Sequence, residues 1–171
     1  MRVQLEGSNY LTLAEVVVLG TVSSPSNPPV SVPDVSSTTS TANSSSTDPQ
    51  ISFASAVQSS TLRNANLALD GNTDGIWGNG SLSSTHSDSE AWWTGDIGSV
   101  ANISEIQIWN RTDAGSSRLS DFYVFVSEQP FASTDLATTL ADPGTWSFFH
   151  SGAAGESVFC LLYTSPSPRD S

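Results

Sequence analysis

The chain has 171 residues, of which 37% are hydrophobic, enough for one ordinary domain with additional sequence around it. A formal net charge of −12 gives a surface that repels phosphate backbones and anionic lipid, so neither nucleic acid nor membrane insertion is expected. No apolar run reaches the ~20 residues of a membrane span, and a single cysteine, Cys160, excludes an internal disulfide. All five cations are arginines, namely Arg2, Arg63, Arg111, Arg118 and Arg169. Arginine offers a planar fork of donors where lysine offers a point charge. The commonplace reading of such cations is surface ion pairing.

Residues 1–20, MRVQLEGSNYLTLAEVVVLG, hold two strand-like runs around a turn at Gly7, Ser8 and Asn9. Val3 and Leu5 alternate with polar neighbours, Leu11 and Leu13 alternate next, and Val16 to Leu19 are continuously apolar. So short a segment cannot make a core and is expected to pack on something else. Met1 leads straight into the first run without a signal peptide, as expected of a fragment. Residues 21–50 are rich in Ser, Thr and Pro and read as a linker closed by Asp48 and Pro49.

Residues 51–159 read as a β-domain punctuated by turns such as Asp70-Gly71-Asn72 and Asn79-Gly80. Ile106 and Ile108 alternate with Glu105 and Gln107. Phe122, Val124 and Val126 share one face of a strand with Tyr123 and Phe125 on the other, the pattern of a strand covered on both sides. One short helical turn is expected within residues 134–141. The segment 160–171 looks foreign. Its CLLYTSPSPRD string resembles a translated sequencing-library adapter, which would leave Cys160 and Arg169 without a biological role.

One constellation stands out. His86 is followed after twenty-four residues by Arg111, then Thr112, Asp113, four residues, and Arg118. This spacing resembles the H-x24-R-x-D-x4-R/K signature of the F-type lectin (fucolectin) family. The surroundings Ala68-Leu69-Asp70-Gly71-Asn72, Trp92-Trp93, Asp96-Ile97-Gly98 and Ile108-Trp109-Asn110 resemble it too. The resemblance covers residues 50–159 and 1–20. It implies an all-β antiparallel sandwich of the jelly-roll, F5/8 type C or discoidin-like kind. It also implies a secreted or cell-surface lectin, not an enzyme, that takes terminal fucose on glycans. His86, Arg111 and Arg118 would donate to sugar oxygens, and Asp113 would hold the two forks still. Trp77 is the candidate wall for the sugar methyl. Some relatives carry two adjacent cysteines after R-x-D, where this chain has Ala114 and Gly115.

The same resemblance implies a structural Ca2+, whose ligands here would be Asp70, Asn72, Ser81 and Glu15, all hard oxygen donors. The plain alternative for Asp70 and Asn72 is an Asx-turn. Glu15 lies in Thr-Leu-Ala-Glu-Val-Val-Val, which resembles the closing strand of a family module. Residues 1–20 thus read as the end of a preceding module, and residues 51–159 as the next one without its C-terminal strands. That is a tandem repeat out of phase, with neighbouring modules as partners. Residues 1–20 would then fold back with Glu15 to complete the site. Sequons occur at Asn43, Asn79, Asn102 and Asn110, two of them beside the proposed sites. The rivals are a glycosidase using two carboxylates, a discoidin-like adhesion module, and an accessory module of a larger secreted enzyme.

Overall fold

The computed structural model describes residues 1–23 and 48–162. Most of the linker reading, the Asn43 sequon and the tail beyond Leu162 lie outside the described residues. Among the described residues ten strands form two antiparallel sheets. They are β1 (Arg2–Leu5), β2 (Ser8–Val22), β3 (Gln50–Ile51), β4 (Ser55–Gln58), β5 (Ser83–Ser89), β6 (Trp92–Asp96), β7 (Ala101–Asn110), β8 (Ser120–Ser127), β9 (Thr145–Ala153) and β10 (Ser157–Leu161). One sheet runs β4-β6-β1-β8-β9. The other runs β10-β7-β2-β3, with β5 also paired to β2. The molecule is an antiparallel β-sandwich, as the alternation of apolar residues requires.

The N-terminal strands occupy the middle of both sheets. β1 pairs with β6 and β8, so that Val3 faces Trp93 on one side and Val124 on the other. β2 pairs with β7, β3 and β5. The core joins Val3, Leu5, Trp93, Phe122 and Val124 of one sheet to Leu11, Leu13, Val16, Val18, Ile106 and Ile108 of the other. A register shift between Leu13 and Glu15 moves the inward set of β2 from odd to even positions. That irregularity leaves Glu15 buried, at 2% exposure, under the segment that follows β4.

The outer face of the first sheet is also covered, which explains the two apolar faces of β8. Between β8 and β9 the chain crosses that face and forms α1 (Leu136–Ala141), capped by the Asp135 carboxylate accepting from Thr138 N–H at 2.8 Å. Arg2 is buried there. It donates to the Ser133 carbonyl at 2.7 Å and stacks over Phe131 at 4.3 Å and Trp92 at 5.2 Å. Of the adjacent tryptophans, Trp93 is wholly in the core and Trp92 half-buried.

Two boundaries differ from the composition. β2 continues through Thr21 and Val22, and β3 begins at Gln50, so strand pairing extends into both ends of the Ser/Thr/Pro-rich stretch. β10 continues past Phe159 through Cys160 and Leu161, pairing with Ile106 and Glu105 and burying Cys160. Backbone pairing tolerates almost any side chain, so composition alone does not mark where it stops.

Candidate functional site

Two loops at one end of the sandwich carry the candidate residues. The first follows Leu69 and is built from consecutive Asx-turns. Asp70 accepts from Asn72 N–H, Asn72 from Asp74 N–H, and Asp74 from Ile76 N–H, each at 2.9 Å. The second runs from Arg111 to Leu119 after β7. The loops meet at Gly75, whose carbonyl accepts from Thr112 N–H at 2.8 Å. A Cβ at Gly75 would lie 2.6 Å from the Asn110 carbonyl oxygen, so only glycine permits this approach.

Trp77 lies where the loops join. Its backbone N–H donates to Asp113 Oδ2 at 3.0 Å, and Asp113 Oδ1 accepts from Arg111 Nε in an ion pair. The guanidinium of Arg111 lies over the indole at 4.6 Å from the ring centroid. The Arg111 partner and the Trp77 N–H hold the Asp113 carboxyl below its ordinary range. Arg118 reaches the same place from the other side of Gly115. A Cβ there would sit 3.3 Å from Arg111 Nη1 and 3.5 Å from Arg118 Nε, and the residue has φ +112°. Arg118 itself lies over the Tyr10 ring at 4.6 Å. His86 is exposed on β5, next to Ser87, the pairing partner of Tyr10. Among the described residues no hydrogen bond or ion pair links it to the arginines. Arg111, Asp113, Trp77 and Arg118 thus form one cluster, and His86 stands on the strand that pairs with β2 at Tyr10.

Three members of this neighbourhood have structural roles that the sequence pattern does not give. Arg63 lies over the Trp77 indole at 3.7 Å and donates to the Trp77 carbonyl at 2.9 Å. Tyr10 seats Arg118. Asn110, 1% exposed, donates its side-chain amide to the Ser116 and Gly155 carbonyls, both at 2.8 Å. With both amide hydrogens committed inside the fold, Asn110 has no room for a glycan in the folded chain. The available signal was scarcity. Of the four described arginines in this acidic chain, Arg63, Arg111 and Arg118 gather at this one place.

The oxygen ligands proposed for a cation also converge. Ser81 Oγ donates to Asp70 Oδ2 at 2.6 Å, and Glu15 Oε2 accepts from Gly71 N–H at 3.2 Å. Burial pushes the Glu15 carboxyl up to about 7. The Gly71 N–H opposes that rise and the neighbouring Asp70 carboxylate adds to it. Two facing carboxylates, one of them desolvated, make a donor set suited to a hard divalent ion. Asn72 commits its side-chain oxygen to the turn, which leaves its backbone carbonyl for such a role. No group of three or more His, Cys, Asp or Glu side chains stands at metal-holding spacing among the described residues. The set therefore rests on two carboxylates with hydroxyl and carbonyl oxygens.

Comparison with known families places this architecture. Residues 67–156 match the model of an F5/F8 type C family described as the NedA-like, galactose-binding domain. The match spans more than half of the chain, and the chain belongs to this family, whose sandwich is a carbohydrate-binding fold. It contains the 70–81 and 111–118 loops and leaves β1 and β2 outside its span. No curated protein and no solved structure matches the chain. No helix among the described residues is long and apolar enough to cross a membrane.

Proposed function

We propose that the chain is a lectin module of the F-type kind that binds terminal fucose on glycans. The observation carrying this reading is the cluster in which Asp113 ties Arg111 to Trp77, with Arg118 across Gly115. Guanidinium groups held by a carboxylate and by aromatic rings lose little rotamer freedom when a ligand arrives. Their remaining N–H groups donate to sugar hydroxyl and ring oxygens, and His86 contributes a further ring nitrogen from the adjoining strand. The Trp77 ring already carries two guanidinium groups, so a sugar methyl would meet the edge of an indole fixed in place. Charged donors contribute ~1.5–3 kcal/mol net each, and three of them give about micromolar to sub-millimolar affinity. Neighbouring modules in one secreted or cell-surface chain would raise that by avidity.

Asp70, Asn72, Ser81 and Glu15 would hold a structural Ca2+, which when bound supplies positive charge between the two carboxylates. This chain's own contribution is to fix the 70–76 loop by its Asx-turns and through Gly71 to Glu15. An accessory carbohydrate-binding module of a larger enzyme is the second reading, favoured by the breadth of the F5/F8 type C match. The decisive experiment is a glycan array with calcium present. Fucosylated glycans are expected to give signal, and Arg111→Ala and Arg118→Ala to lose it at least tenfold while the protein stays folded. A folded wild-type protein that gives no fucose signal overturns the fucose reading. Signal from other glycans would then favour the second.

A further inference from the structure

We propose that the cleft between the 111–118 loop and the β9–β10 turn is a second subsite, taking the sugar unit joined to the one held at the arginine cluster. The proposal rests on reading that cluster as a sugar site. The cleft has a volume of about 380 Å³ and is lined by Arg111, Thr112, Ser116, Ser117, Gly155 and Glu156. That is within the ~300–1,000 Å³ of ordinary small-molecule pockets. Arg111 belongs to both places, with its Nε paired to Asp113 and its guanidinium over Trp77 on one side, and the cleft on the other. A glycan held at the cluster therefore has its continuation within reach of the cleft.

The chemistry of the lining selects the ligand. Hydroxyls of Thr112, Ser116 and Ser117 can each donate and accept, the Glu156 carboxylate accepts from adjacent hydroxyls, and Arg111 donates. No large apolar side chain contributes to the wall, which disfavours an apolar guest. Arg111 spends its ion pair on Asp113, and among the described residues Glu156 has no basic partner. An unpaired carboxylate repels an anionic unit, so the fitting occupant is a neutral pyranose with free hydroxyls.

The cleft is also held in shape before any ligand arrives. Asn110 clamps both walls at once, through the Ser116 carbonyl on one and the Gly155 carbonyl on the other. Its backbone N–H donates to the Glu156 carbonyl at 2.8 Å, and Ala154 N–H donates to the Leu119 carbonyl at 2.9 Å. Two loops far apart in sequence are thereby fixed as one surface, which lowers the ordering cost of binding.

The test is calorimetric titration of the full chain, calcium present, with L-fucose and with a neutral disaccharide carrying terminal fucose. Wild type is expected to bind the disaccharide about five- to tenfold more tightly, the worth of one or two further hydrogen bonds. Glu156→Gln should reduce that advantage, and Ser117→Trp, at an exposed position, should abolish it by filling the cleft. Affinity for L-fucose should stay unchanged in both. A disaccharide-to-monosaccharide ratio near one in wild type, or unaltered in both variants, overturns the subsite alone. Failure of folded wild type to bind either ligand overturns the sugar-site reading and the subsite with it.

Discussion

The two loops at the binding end are built on opposite plans. The 70–76 loop is acidic and held by bonds between residues two apart, its Asx-turns, with Glu15 as its anchor from β2. The 111–118 loop is basic and held from a distance, by Trp77, by Tyr10 under Arg118, and by the Asn110 amide across to Gly155. One loop gathers negative charge with no arginine ion-paired to it among the described residues. The other gathers positive charge around a single paired carboxylate. The first is suited to hold an ion and keep its own shape, and the second to present donors whose positions depend on the rest of the sandwich.

This contrast can be broken on either side. The largest effect is expected at Glu15. Its carboxyl titrates at about 7 in the folded chain, above its ordinary 4.5, so the folded form retains a proton that the unfolded form has already released. Stability of metal-free protein should fall as pH rises from about 4.5 to about 7, by ~3 kcal/mol in all. Melts in chelator across that range should show the fall in wild type and not in Glu15→Gln. Calcium at pH 7.5 should restore stability to wild type only. On the basic side, Asn110→Ala should cost about 2 kcal/mol, read as a lower urea midpoint. It should also weaken sugar binding while the calcium response is kept. Arg63→Ala is the mildest change, about 1 kcal/mol for a partly exposed stack on Trp77. It should shift the indole emission and lower affinity several-fold. Arg63→Lys should restore little of this, because the planar fork is what stacks.

The same contrast explains what the sequence could disclose. Asp70-Gly71-Asn72 announces its turn because the bonds that make it span two residues. The double-faced apolar pattern of Phe122 to Val126 and the short helix before Asp142 were equally local and equally readable. The register shift beside Glu15 was not, because it arises from how β2 meets β7. The roles of Arg63 and Asn110 were silent for a related reason. Each acts on a backbone carbonyl or ring that only tertiary structure brings near, and neither changes the local hydrophobic period. The spacing of His86, Arg111, Asp113 and Arg118 marked out a group of residues, but not the indole and amide that hold most of it in place.

The central position of β1 and β2 has a consequence for how the molecule is made. β1 and β2 leave the ribosome before the strands they pair with, which extend to Ser127 in one sheet and Asn110 in the other. Until β7 is made, the apolar run from Leu11 to Leu19 has only the short β3 and the polar β5 to pair with. Late pairing between distant segments slows folding and leaves unpaired strands open to aggregation. Closure of this sandwich is therefore expected to be slow, because its central strands wait for partners made much later.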